Sequence, residues 1–595
     1  MSSSHAERIS KTQHALGDQG LSAVVIPSSD PHLSEYLPER WQGRRWLSGF
    51  TGSMGTLVVT RERAAVFADS RYWVQAEAEL KGSGIELVKV ATGTADDHIG
   101  WLAELLPAGE TVGVDGDVLG LAAARALRDG LSEGGVSLRS DVDILGTVWP
   151  ERPSLPRESV YPHTAPHADM TRGQKLAAVR SSMECFGATH HFVSTVDDVS
   201  WLLNLRGNDV NYNPVFLAHL LVKADGATLF IGEGKVDDEL RAALAADGVE
   251  LADYDQARAQ LKGLDSSAVL LIDPKRVTLG FVSESLEARI VESINPSTLF
   301  KSRKSAAEAA HVRAVMDQDG AAMCNFYAWF EAAVGKETIT EITVDERLSA
   351  ERAKRPGFVG LSFGTIAAFK GNGAMPHYRA LPESHATIEG DGLLLIDSGG
   401  QYLGGTTDIT RVWGIGQVTE EQRRDYTYVL KGTMALSRTR FPRGTMSPSL
   451  DSIARAPLWN AGIEYGHGTG HGVGFFLNVH EGPQTISKAM PNKHMGMEPG
   501  MITSIEPGVY RPGRWGVRIE NLVLNIPSTE TEFGEFLEFE TLTMCPIDTR
   551  LIQPGLLRQD EIDWLNDYHT TVRERLSPLV SGPALAWLEE RTQPI

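Results

Sequence analysis

Cysteine is nearly absent: Cys185, Cys324 and Cys545 are far apart in 595 residues and odd in number. That count argues against a disulfide framework, and the lack of a CxxC pair argues against a zinc–cysteine site. A reducing, cytoplasmic setting fits such usage. Long apolar runs are also missing. The cleanest, 269–272 and 393–396, are a few residues long, against the about 18 that a membrane-spanning helix needs. The opening stretch, MSSSHAERIS, is polar and lacks the apolar segment of a secretory signal. Positive charge is scarce: 56 Lys and Arg against 77 Asp and Glu leave a net charge of −21. So acidic a chain lacks the basic surface of sequence-blind nucleic-acid binders, and anionic membranes repel it. Neither nucleic acid nor membrane is an expected partner. What is present, 42% hydrophobic and 22% charged residues, is the composition of a folded globular protein, and the length suits about two to four domains.

Two boundaries stand out. Residues 148–163 contain Pro150, Pro153, Pro156 and Pro162, which favours an extended linker. A second boundary falls near 296–305. Beyond it, Ser305 and Glu308 have the spacing of a capping box, and apolar residues at 312, 316, 323, 326 and 330 have roughly helical spacing. The expected domains are 1–150, 151–302 and 303–595. The first two read as copies of one α/β fold. Strand, turn and strand are expected over 56–68 and again over 217–231, the second turn carrying Asp225-Gly226, a strong hairpin signal. A helix is expected over 119–131. In the third piece, Thr419 and Gln422 mark another helix start, and the last helices are expected at 562–576 and 583–591.

The chemistry-bearing residues lie in the third piece. An apolar strand ends in Asp397, a glycine-rich turn follows, and a second strand carries Asp408. Taken singly, each reads more readily as a turn aspartate; on adjacent strands the two can point at one place. Next comes His467-Gly-Thr-Gly-His471-Gly-Val-Gly. Two histidines four apart evoke HExxH, but no Glu follows His467 and glycine disfavours the helix that motif needs. His480 makes three histidines in a short glycine-rich stretch. Glu506 ends the strand 501–506 before Pro-Gly. Glu520 is expected inside an apolar strand with Arg518 on the same side, where an Arg518–Glu520 ion pair is the plainer reading. A buried Glu520 is costly unless paired or metal-bound. Four converging carboxylates would raise one another's pKa, and two divalent cations relieve that. Oxygen-rich ligands with one imidazole suit Mn2+, Co2+ or Zn2+, and two close metals activate a shared water. That is the logic of a hydrolase.

The order Asp, Asp, His, Glu, Glu with these flanks resembles the catalytic domain of the pita-bread metallopeptidases, the family of methionine aminopeptidase, prolidase and aminopeptidase P. Outside that domain, 28–36 (SSDPHLSEY), 69–72 (DSRY), 198–207 (DVSWLLNLRG) and 213–216 (NPVF) resemble the large, three-domain, cytosolic aminopeptidase P type, as does the block 467–483. The resemblance implies an α+β architecture: two creatinase-like N-terminal α/β domains followed by a pita-bread domain. It also implies release of the first residue from peptides with proline second, and a homodimer. Residue by residue, it implies that Asp397 binds one metal, Asp408 and Glu520 bridge two, His471 binds the second, and Glu506 binds that metal and acts as general base. Mn2+ is the expected metal, with Zn2+ or Co2+ as alternatives. His377 would lie beside the substrate. His480 would stabilise the tetrahedral intermediate or serve the leaving proline nitrogen. His467 and Tyr510 would line the pocket, Arg518 would orient Glu520, and Arg71 would reach the distal peptide, its plainer reading being an ion pair with Asp69. Two departures are Ser70, where glycine is common, and Met375-Pro376 before His377. The competing readings are a dipeptide-only prolidase and a metal-free binding protein; relatives of the latter kind lose the ligands, whereas all five are present here.

Overall fold

A computed structural model describes residues 4–90, 97–282 and 286–595. The chain forms two compact units, Met1–Leu299 and Phe300–Ile595.

The first unit contains two six-stranded sheets. One is built from β1 (Ala23–Pro27), β2 (Thr56–Thr60), β3 (Ala64–Ala68), β4 (Glu86–Lys89), β5 (Thr111–Val114) and β6 (Ser137–Arg139), in the order β4-β3-β2-β1-β5-β6. The other uses β7 (His190–Val193), β8 (Ala218–Lys223), β9 (Ala227–Ile231), β10 (Val249–Asp253), β11 (Val269–Ile272) and β12 (Arg289–Glu292), in the order β10-β9-β8-β7-β11-β12. The topology is the same in both. The second and third strands of each form an antiparallel hairpin, and the outer pairs are parallel. The duplicated α/β fold read from the two hairpins is therefore present. The stretch 149–160 has no regular element, as its prolines require. Residues 296–305 differ from a plain boundary: Pro296–Ser302 is helical, because a proline at the first helical position lacks only an N–H that would be orphaned anyway.

In the second unit, α1 (Ala306–Ala333) starts at Ser305 with a complete capping box. Val312, Met316, Met323, Phe326 and Phe330 all lie in the core, each contributing about 2 kcal/mol of apolar burial. Tyr327, on the same helix, stacks on Trp587 and meets Trp413. Next come α2 (Glu341–Ala353) and a three-stranded antiparallel sheet of β13 (Ile366–Phe369), β14 (Gly392–Ser398) and β15 (Ile409–Ile415), with β14 central. Then α3 (Glu420–Ser437), capped by the Thr419–Gln422 box, packs on α4 (Asp451–Trp459). Strands β16 (Ile502–Ile505), β17 (Gly508–Arg511), β18 (Trp515–Arg518), β19 (Asn521–Thr531) and β20 (Gly534–Thr541) precede the final helices Gln559–Leu576 and Pro583–Arg591. Among the described residues, no helix is long and apolar enough to cross a membrane.

Candidate metal centre

Asp397 is the penultimate residue of β14, and Asp408 immediately precedes β15. The strands pair antiparallel, with Asp397 opposite Thr410, so both acids reach the same end of the sheet. Glu506 follows β16, whose last residue, Ile505, pairs with Asn521 at the start of β19. Glu520 departs from expectation in one respect. It lies between β18 and β19 rather than inside a strand, because β18 pairs with β17 while β19 pairs with β16, and the chain must change partners there. Its backbone is held by Arg411, whose guanidinium donates to the Glu520 carbonyl at 2.6 Å, and by its own N–H donating to the Thr410 carbonyl at 3.1 Å.

The glycines of 467–474 serve close approach. A Cβ at Gly470 would lie 1.9 Å from the Ser504 carbonyl oxygen, and one at Gly472 would lie 2.1 Å from that of Glu481. Only glycine lets this loop lie against β16 and bring His471 to the acids. His471 Nδ1 donates to the Gly472 carbonyl at 2.9 Å, which leaves Nε2 as the ligating nitrogen. That Nε2 is 3.5 Å from Asp408 Oδ2 and 3.5 Å from Glu506 Oε1. Ligand atoms of Asp408, His471 and Glu520 lie within 4.8 Å of one another.

Arg518 does not pair with Glu520 as the plainer reading had it. Its Nη2 meets Asp397 Oδ2 at 2.6 Å, and it reaches Glu520 through Thr410, which receives from Arg518 Nε at 3.2 Å and donates to Glu520 Oε2 at 2.7 Å. Arg518 Nη1 also donates to the Tyr510 hydroxyl at 2.7 Å. That hydroxyl lies 2.8 Å from His467 Nε2. Since His467 Nδ1 donates to the Gly468 carbonyl, the neutral ring accepts from Tyr510. The His480 ring sits edge-on to His471 at 4.3 Å. His377 is half-buried in a turn, and the carbonyl of its neighbour Pro376 accepts from Arg518 at 3.3 Å. Arg71 lies in the first unit in a two-pronged ion pair with Asp69, 2.9 and 2.7 Å.

The electrostatics ask for positive charge. Burial, with repulsion from Asp408, pushes Asp397 up to about 7 despite Arg518. Burial raises Glu506 and raises Glu520 far above the usual carboxylate range, with the neighbouring acids adding to it. Burial alone would lower His471; the hydrogen bond to Asp408 and the charge of Glu506 overcome it and lift the ring to about 9. Asp397 Oδ1 and Glu520 Oε1 are buried with no hydrogen-bond donor, a costly state for carboxylate oxygens. This donor set fits two hard or borderline divalent cations.

Several supporting residues have no signature that the motif reading used. Thr410 and Ser504 lie two residues from Asp408 and Glu506, on the same strand face. Ser504 accepts from the His471 N–H at 3.0 Å and donates to Glu506 Oε1 at 3.1 Å. Glu481, next to His480, is buried between two lysines: Lys304 Nζ at 2.8 Å from Oε1 and Lys301 Nζ at 3.1 Å from Oε2. Lys304 also donates to the Val473 carbonyl at 2.6 Å. The period-2 pattern could have revealed Thr410 and Ser504; nothing local marks the lysines.

Residues 310–525 match the profile of Metallopeptidase family M24, and 535–595 match that family's C-terminal region. Residues 8–146 and 151–308 match two profiles of the creatinase/prolidase N-terminal domain. Aminopeptidase P2 of Arabidopsis thaliana is 37% identical over 97% of this chain and 86% of its own. Xaa-Pro aminopeptidase 1 of Dictyostelium discoideum is 34% identical over 99% and 96%. The crystal structure of X-prolyl aminopeptidase from Caenorhabditis elegans, described as a cytosolic enzyme with a di-nuclear active site, superposes over 100% of both chains with a TM-score of 0.94 at 30% identity.

Proposed function

This chain belongs to metallopeptidase family M24, and we propose that it is an Xaa-Pro aminopeptidase, a hydrolase that releases the first residue of peptides with proline second. The observation that carries the reading is the convergence of four carboxylates and one imidazole with two buried carboxylate oxygens lacking any donor. In this reading Asp397, Asp408, His471, Glu506 and Glu520 hold two divalent cations, Mn2+ foremost. When bound, such cations supply Lewis-acid activation of water at neutral pH. Glu506, with Oε1 steadied by Ser504, takes the proton of the attacking water. His480 stabilises charge developing on the scissile carbonyl or serves the leaving proline nitrogen, and His377 flanks the substrate. Arg518, Tyr510 and His467 form one hydrogen-bonded wall that holds its shape around the proline ring. Arg71 is assigned to the distal part of longer peptides.

The substrate explains the need for a dedicated site. An Xaa-Pro bond is a tertiary amide with no N–H to recognise, so recognition falls to the ring pocket and the free amine. The three-domain division 1–150, 151–302 and 303–595 belongs to the same proposal, supported by the profile matches over 8–146, 151–308 and 310–525; so do a cytoplasmic location, supported by the description of the Caenorhabditis elegans enzyme, and a homodimer, which the family resemblance implies.

The test is chromatography of Arg-Pro-Pro after incubation with metal-stripped enzyme, with and without Mn2+, beside Glu506→Gln. Metal-dependent release of Arg, reduced by at least about 100-fold in the variant, supports the proposal. Hydrolysis of Ala-Pro without any action on the tripeptide would replace it with a prolidase.

A further inference from the structure

Glu341, the first residue of α2, is completely buried at 0% exposure. Its two oxygens receive donors from four residues. Oε1 accepts from the Phe369 N–H at 2.7 Å and from Asn372 Nδ2 at 3.0 Å; Oε2 accepts from the Tyr378 hydroxyl at 2.8 Å and from the Ala386 N–H at 2.7 Å. A carboxylate is acceptor-only and has about four lone-pair sites, so this one is filled, by charge-assisted bonds of the stronger kind.

All four donors belong to one excursion of the chain, from the end of β13 to the stretch before β14. Its return is fastened at the same point, since the Glu341 N–H donates to the Ala386 carbonyl at 3.1 Å and Thr340 bridges Thr387. Between these fixed ends the chain has little regular structure beyond the turn of 3-10 helix Lys370–Ala374. His377 sits in this excursion. The residue before it, Pro376, accepts from Arg518, and the residue after it, Tyr378, donates to Glu341. Asn372 Nδ2 braces the same phenol at 3.1 Å. His377 is thus bracketed by the metal-centre arginine on one side and a buried anion on the other.

We propose that Glu341 is a positioning residue for His377, acting through Tyr378: it converts a long irregular excursion into a rigid arm that presents the imidazole to the substrate. The inference rests on the role given to His377 under the proposed function. Removing the Tyr378 hydroxyl loosens the arm beside His377 while leaving three donors on Glu341. Glu341→Gln places an NH2 where an acceptor is needed and loosens the arm as a whole. A catalytic group displaced by about 1 Å can lose on the order of 100-fold in rate, so an effect of about tenfold is expected from the milder change.

The experiment is a double-mutant cycle with Mn2+-loaded full-length enzyme and Arg-Pro-Pro. Tyr378→Phe and Glu341→Gln are each measured alone and in the His377→Ala background, with metal content checked. In the wild-type background Tyr378→Phe lowers kcat/KM about tenfold and Glu341→Gln by more than that; in the His377→Ala background each changes it less than about twofold, since the group being positioned is gone. Equal factors in the two backgrounds would mean general structural damage and would overturn the proposal. If Glu341→Gln fails to fold, Tyr378→Phe alone decides. His377→Ala as active as wild type would remove the role of His377 and the proposal with it. A wild type inert toward Arg-Pro-Pro would overturn the substrate reading instead. In that case the 13Cε1 resonance of His377 decides: displacement by Glu341→Gln supports the positioning role, and an unmoved resonance overturns it.

Discussion

Lys304→Met tests the physical account of the buried clamp beside His480. Lys304, Lys301 and Glu481 are all buried, and Glu481 lies between the lysines at 2.8 and 3.1 Å. Breaking a buried ion pair by deleting one partner costs about 3–5 kcal/mol, because the other charge is stranded. In Lys304→Met, Glu481 keeps Lys301, so the lower figure, about 3 kcal/mol, applies. Glu481→Gln removes the counter-charge of two buried ammonium groups at once and falls at the upper figure, about 5 kcal/mol. For a unit of this size about 2 °C of melting temperature accompanies each kcal/mol, giving falls of about 6 °C and 10 °C in the transition of the second unit. Replacing all three charges (Lys301→Met, Lys304→Met, Glu481→Met) removes the desolvation cost together with the attraction, and most of the stability returns. The assay is thermal unfolding by tryptophan fluorescence and calorimetry. A Lys304→Met protein within about 1 °C of wild type, or a triple variant less stable than Glu481→Gln, would refute the reasoning.

Three other outcomes are expected. Gly470→Ala drives a Cβ into the Ser504 carbonyl and moves His471 off the acids, lowering kcat by about 100-fold and weakening metal uptake measured by calorimetry. Chelation followed by Mn2+ titration restores two equivalents and raises the melting temperature, by about 2.7 kcal/mol of stabilisation at free metal 100 times Kd; Glu520→Gln, keeping the shape but losing the charge, takes up fewer. His569 is buried and its Nε2 accepts from the Ile547 N–H at 3.0 Å; burial, with Arg411 and Arg573 nearby, pulls it down to about 3. The unfolded chain protonates it first, so its contribution is complete above pH 6.5 and falls by about 1.4 kcal/mol per pH unit below that, until pH 3. Urea unfolding at pH 7 and 5.5 should show His569→Gln losing less stability on acidification than wild type.

Much of the architecture was readable where local chemistry is strong. Ser305 and Thr419 begin helices because their side chains satisfy orphaned N–H groups, and the hairpins follow from alternation around polar turns. Carboxylates at strand ends were equally visible: Asp397 and Glu506 stand where apolar runs stop, and Asp408 stands where one begins. The remaining strands of the duplicated sheets were not readable. They are mostly four or five residues long and pair in parallel with partners far along the chain, a relation that periodicity cannot carry. Glu520 was misplaced for a similar reason, since the change of partner between β18 and β19 is a tertiary event that the alternating stretch 517–524 does not mark. Glu341 escaped notice because a helix-initial glutamate is ordinarily a solvated residue favoured by the helix dipole; only the fold turns four donors toward it.

The repeated sheet topology gives the two halves of the first unit different mutational weight at one equivalent place. Just beyond the third strand each half sets a cation against an aspartate: Arg71 after β3 meets Asp69 two residues before it, and Lys235 after β9 meets Asp209 from the stretch that precedes β8. The Arg71 side chain is 30% exposed and that of Lys235 only 2%. Loss of Lys235 strands a sealed anion and is felt throughout its sheet, whereas loss of Arg71 is shared with solvent and stays local. One half is thereby committed to holding its shape. The other keeps its cation open to solvent, where a change of side chain leaves the fold standing, a division of labour that a single unrepeated sheet could not offer.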